Sequence, residues 1–413
     1  MTAKIFCRTL ALLAVSLLSW SHHAISAPQV LLPRTGITVD ELALLINDDD
    51  PLSRRTGAYY QQARGIPEEN VIHLHFPAGK SALSIQEFEP LKAEVDRLTP
   101  KHVQAYAVAW TQPYRVGCMS MTSALAMGFD EKYCSSTCGP TAASGYFNSP
   151  STYPFNDHKL RPAMMLAGTS FEEIKALIDR GIVSDASFPD GKAYLLNTSD
   201  KARSVRTVQF NITKTELDGL IPIEEIDADS ISDRKDVLFY FTGLTQVPNL
   251  NTLEFKPGAL ADHLTSFGGQ LTDSRQMSSL RWLEAGATAS YGTVTEPCNH
   301  PQKFPVPAVA MFNYLLGATA VEAYWKSLAW PGEGVFIGEP LARPFVPTLT
   351  ITANGTYELK LISPGNRTLR IEQSASMIGP FHLLPGGLPV LAGKNVVRFS
   401  LPRDSKGYLR LVR

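Results

Sequence analysis

From Glu41 to about Phe345 the chain alternates short apolar runs with amphipathic stretches of helical length, and this alternation limits its fold more than any motif does. ELALLIN (41–47), VIHLHF (71–76), HVQAYAVAW (102–110), PAMMLAG (162–168), YLLN (194–197), IPIEEI (221–226), VLFYFTG (237–243), TASYGTVT (288–295) and GVFIGEP (334–340) read as strands. Runs that are apolar along their whole length suit strands covered on both faces, so the pattern predicts an α/β domain with a mostly parallel sheet flanked by helices. Helix boundaries are marked: Asp50 as N-cap, Pro51 at the first helical position and Gly65 as the stop, then the capping pairs Ser170/Glu173 and Thr319/Glu322. Between residues 111 and 160 the periodicity fails and Gly, Ser, Thr, Pro and three cysteines take over, as in a functional loop or a disulfide-held insertion. Past Phe345 about five short alternating strands with Asn-Gly, Pro-Gly, Gly-Gly and Lys-Gly turns suggest a β-sandwich module over 346–413.

The N-terminus supplies the expected compartment. Lys4 and Arg8, the apolar run 10–18 and the small-residue stretch ending at Ser26 have the order of a secretory signal peptide, here 1–26. Export to the periplasm or the extracellular space follows, and no later run is long enough to span a bilayer. Without the leader, 36 basic residues face 39 acidic ones, a net charge of −3. That near balance, with no Lys/Arg block, argues against nucleic acid as a partner. Cys118, Cys134, Cys138 and Cys298 remain, and four cysteines in an oxidising compartment allow three disulfide pairings.

The order of elements, with PAMMLAGTSFEEIKALIDRG as an apolar strand, a glycine and a capped helix, resembles the gingipain-like and caspase-like cysteine peptidases over residues 40–345. TSFGGQL, WLEAGATASYGTVTEP and IGEPLARPF look like an uncharacterised family of exported bacterial proteins. The resemblance implies a catalytic histidine in a His-Gly strand end and a cysteine in a later turn. This chain has Thr242-Gly243 at the first position and LTSFGG, with Ser266, at the second. A threonine hydroxyl is no general base near neutral pH, so the resemblance implies a peptidase-like domain without the peptidase's catalytic pair.

The remaining candidates come from the residues themselves. Cys298 with His263 or His300 would make a thiolate nucleophile and its base, and a disulfide is the weightier alternative in an exported chain. Asp262, His263 and Ser266 in ADHLTSFGG could form a serine-type constellation, against a plain helix cap and glycine turn. Glu296 and Glu339 sit at strand ends and Asp48 to Asp50 follow the first strand, where converging carboxylates would suit Ca²⁺ or Mg²⁺; capping by Asp50 and exposure of the others is the simpler expectation. His73 and His75 share one strand face, half a zinc site with no third ligand nearby in sequence. No phosphate loop, dinucleotide fingerprint or His-Glu-x-x-His helix is present, and no cofactor is identified. Two functions are therefore expected: a non-catalytic domain binding a ligand, peptide or protein partner at a sheet end built from Thr242, Gly243, Asp262, His263, Ser266 and Glu296, or a secreted hydrolase using Cys298 or Ser266 with His263.

Overall fold

A computed structural model describes residues 28–135, 138–401 and 407–412; the expected signal peptide, 1–26, lies outside the described residues. The protein is α/β, with a ten-stranded, mostly parallel sheet covered by helices and small antiparallel sheets at the C-terminus. Across the large sheet the strands run Ile223–Ile226, Lys192–Leu196, Val237–Thr242, Phe255–His263, Ala289–Thr293, Gly334–Gly338, Ala163–Met165, Ala105–Val108, Leu42–Asn47 and Val71–Leu74. The inner strands are buried almost throughout, which is why their sequences are near-continuous apolar runs. The two edge strands are more exposed, and Val71–Leu74 turns His73 to solvent.

One pairing breaks the parallel order. Ala289–Thr293 and Gly334–Gly338 are antiparallel, with Ala289 opposite Gly338 and Thr293 opposite Gly334. The sheet is therefore two parallel halves running in opposite directions. Thr242, His263 and Thr293 end their strands at one edge, whereas Asn47, Leu74, Met165 and Gly338 end theirs at the other.

The strand Phe255–His263 is absent from the sequence reading, which took ADHLTSFGG as a cap and turn. Pro257 and Gly258 obscured it, because both residues disfavour a strand interior. Here they coincide with a register shift against Val237–Phe239, and Gly258 takes φ +89° while its N–H donates to Thr288 Oγ1 at 2.9 Å.

Helix ends follow the local chemistry. Asp50 accepts from the Leu52 N–H at 2.9 Å, and Gly65 closes the helix Pro51–Arg64 in the left-handed conformation. Thr319 and Glu322 form the expected capping box. The Ser170/Glu173 pair differs: Ser170 caps the Glu173 N–H, but the Glu173 carboxylate reaches back to the N–H and hydroxyl of Thr169. The 111–160 segment contains the short helices Met121–Met127 and Pro154–His158, the first beginning at an Ser120 cap.

All five C-terminal strands read from sequence are present, with two shorter ones, His382–Leu383 and Leu388–Val390. They form two sheets around Tyr357, Leu359, Leu361, Leu369, Val390, Phe399 and Leu411. Gln29–Leu31 adds a parallel strand beside Tyr408–Val412, so the start of the described chain completes the C-terminal module.

Candidate functional site

Strand register places the candidate side chains. Thr242 lies opposite His263, and Phe241 opposite Asp262, in adjacent parallel strands. Because successive residues of a strand point to opposite faces, Asp262 and His263 cannot act on one substrate atom from the same side. The Asp-His-Ser constellation fails on this point, and recognition of Phe255–His263 as a strand would have shown it from the sequence.

His263 is 1% exposed. Its Nδ1 accepts the Trp282 indole N–H at 2.9 Å, and its Nε2 lies 3.1 Å from the Met277 carbonyl. An indole N–H can only donate, so Nδ1 is the acceptor and Nε2–H donates to Met277. Both ring nitrogens are engaged in structural hydrogen bonds, leaving none for a nucleophile. Burial, only partly offset by the Met277 carbonyl, lowers the imidazole's pKa to about 3. His263 is thus a neutral core histidine at physiological pH, wedged beside Trp282.

This has a measurable consequence. Below the ordinary pKa of about 6.5 the unfolded chain takes up a proton that folded His263 refuses, so its contribution to stability is lost progressively as pH falls from about 6.5 towards 3. Asp262 acts in the opposite sense. Burial outweighs Arg206 and raises its carboxyl to about 6, so folded Asp262 holds a proton that the unfolded chain releases above about 4. Between pH 4 and 6 the two offset, and a single-site comparison separates them. The stability difference between wild type and His263→Gln should narrow by about 1.4 kcal/mol per pH unit on acidification from pH 6.5. A pH-independent difference in urea titrations would contradict the buried neutral imidazole.

On the other face Asp262, fully buried, meets the buried guanidinium of Arg206 at 2.5 Å. Arg206 also donates to the Thr242 carbonyl at 2.6 Å and stands over the Phe241 ring, tying three strand-end residues together. Sequence reasoning missed this arginine, which occupies the short 3-10 turn Val205–Gln209 with no motif around it. The Thr242 hydroxyl is buried with no hydrogen-bond partner, and Gly243 packs so closely on Arg203 that a Cβ would overlap its carbonyl. Neither opens to a ligand.

The glycine turn also has a packing role. A Cβ on Gly269 or on Gly292 would overlap the backbone of the other segment, and the Gly269 N–H donates to the Thr293 carbonyl at 2.9 Å. The turn closes over the strand end. Ser266 is half-buried at the rim, its carbonyl accepting from Thr293 Oγ1, and no base approaches its hydroxyl among the described residues.

Cys298 is joined to Cys138, and Cys118 to Cys134. The first bridge pins the 111–160 segment to the turn after Ala289–Thr293; the second closes a loop within that segment. A bridged sulfur is neither a nucleophile nor a thiolate ligand. The Glu296 carboxylate accepts the Cys298 N–H at 2.8 Å and comes within 4.8 Å of both bridged sulfurs, so it belongs to this turn and makes no hydrogen bond to His263. His300 bonds the Cys138 carbonyl at 2.9 Å. Beneath lies a second unforeseen pair, Lys303 and Glu333, both buried, at 2.8 Å.

The expected convergence of carboxylates does not occur, because the antiparallel pair sends the strands of the two halves to opposite edges. Glu339, expected to face water, is fully buried between Arg64 and the Tyr60 hydroxyl at 2.6 Å, while Arg64 also pairs with Asp185. Asp48 and Asp49, at the same edge, lie 2.9 Å and 3.1 Å from Nδ1 of His73 and His75, all partly or largely exposed.

Two disulfides are the usual mark of an oxidising compartment. No helix among the described residues is long and apolar enough to cross a membrane. No family model and no curated protein matches the sequence. Among solved structures, one described as "Structure of Protease" is distantly similar, with a TM-score of 0.40 and 10% identity over 88% of this chain and 98% of that one.

Proposed function

We propose that the protein is an exported, non-catalytic α/β binding domain on a peptidase-like scaffold. The observation that carries this reading is His263: the one histidine at the strand end has both nitrogens engaged and no proton-accepting capacity near neutral pH. The bridged Cys298 and the baseless Ser266 support it. The strand end is filled by side chains and by glycine contacts, so room for a ligand is better sought elsewhere. A cleft of about 450 Å³ lies at the start of Lys192–Leu196 and Val237–Thr242, where the C-terminal module's Lys394 meets Asp190. Its apolar wall of Leu220, Leu238, Leu315 and Phe345, with Lys192 and Asp236 at hand, suits an extended peptide with mixed side chains.

The test is chemical. The oxidised protein should resist both a fluorophosphonate and an alkylating agent and should leave unfolded protein substrates intact. Stoichiometric labelling of Ser266, abolished by His263→Ala under conditions where the variant stays folded, would establish the hydrolase reading instead.

A further inference from the structure

The near balance of charge along the chain conceals a division. Residues 346–413 hold nine basic and three acidic side chains, a surplus of six positive charges, whereas residues 27–345 hold 27 basic and 36 acidic, a surplus of nine negative charges. A small basic module thus sits on an acidic body. At physiological salt each field reaches only about 8 Å, so an anionic surface would attract the module side and repel the rest, orienting the molecule.

The same module carries an unusual apolar projection. The hairpin between Arg367–Ser374 and His382–Leu383 presents Ile378 at 95% exposure and Met377 at 58%, with Leu383 at 50% on its return strand. Solitary exposed aliphatics are ordinary; three on one hairpin are not. Below the tip the Arg410 guanidinium lies 4.2 Å from the centre of the Phe381 ring and pairs with the Glu372 carboxylate at 2.6 Å. Arg370 is exposed two residues from Glu372, the cross-strand partner of Arg410, and so shares its face. Aliphatic side chains at a protruding tip with guanidinium groups set back from it match the layering of a bilayer surface, acyl chains beneath charged headgroups.

We infer that this hairpin docks the protein on an anionic phospholipid surface, Met377 and Ile378 entering the headgroup boundary while the positively charged module, with Arg370 exposed beside the Arg410–Glu372 pair, meets lipid phosphates. A polyanion without acyl chains would have no use for the aliphatic tip, and is an outcome of the test.

The measurement is co-sedimentation of the full-length mature protein with vesicles of phosphatidylcholine alone or of three parts phosphatidylcholine to one part phosphatidylglycerol. Binding to the anionic vesicles should exceed binding to the neutral ones by about tenfold and should fall several-fold when salt is raised to about 0.5 M. Met377→Ser/Ile378→Asp should lower it by about tenfold, and Arg370→Glu by a smaller factor. All three residues are exposed, so the thermal midpoint should not move; if the double variant does unfold, Ile378→Ser alone gives the comparison. Equal binding to both vesicle types, no binding to either, or full retention by the tip variants would overturn the inference. Capture by heparin beads without vesicle binding would overturn it in favour of a polyanionic polymer.

Discussion

Replacing Arg206 with methionine should lower the unfolding free energy by about 3–5 kcal/mol, the usual cost of leaving a buried charge without its partner. The pair is almost fully enclosed, with side-chain exposures of 3% for Arg206 and 0% for Asp262. Loss of the guanidinium also removes the donor to the Thr242 carbonyl, so the ends of two adjacent strands lose their common tie. Asp262 would respond partly by remaining protonated, since burial already raises its carboxyl to about 6; the loss should therefore be smaller at pH 5 than at pH 8. Arg206→Met/Asp262→Leu should recover most of the stability, because a buried ion pair is often replaceable by apolar side chains of similar volume. Urea titrations of the wild type, the single variant and the double variant check this, and a single-variant loss under 1 kcal/mol would show that the pair does not hold the sheet end.

At the opposite edge, Glu339→Leu should cost about 3 kcal/mol, the lower end of the same range. The loss is moderated because Arg64 keeps Asp185, whose side chain is 30% exposed and brings water to the pair. The Tyr60 hydroxyl loses its acceptor, and the last turn of Pro51–Arg64 loses its tie to the end of Gly334–Gly338. Since the two networks occupy opposite edges of the sheet and share no side chain, their effects should add within about 0.5 kcal/mol. Strong non-additivity in the combined variant would mean that the two halves of the sheet unfold as coupled units through another path.

These networks also show where sequence reading stops. Asp50, Gly65, Thr319 and Glu322 were legible because caps act over three or four residues, and local spacing is all they require. Arg206 with Asp262, Arg64 with Glu339, and Lys303 with Glu333 join residues 56, 275 and 30 positions apart, and nothing in either local sequence announces the partner. His263 misled for a related reason. Its neighbours Asp262 and Ser266 suggested chemistry, while the partners that define it, Trp282 and Met277, lie 19 and 14 residues on.

The order of apolar runs and capped helices was enough to determine an α/β sheet, because burial on both faces makes inner strands apolar along their length, and polar/apolar alternation with turn signals was enough for the C-terminal β strands, which bury one face. The direction of Gly334–Gly338 was decided only by tertiary structure, since an inner strand has the same composition whichever way it runs. That one reversal separates Glu339 and Asp48 from His263, and strand alternation separates His263 from Asp262. Asp262, His263, Ser266, Glu296 and Cys298 were visible in the sequence and Arg206 was not, and which of them meet is a property of register and direction, which composition does not carry.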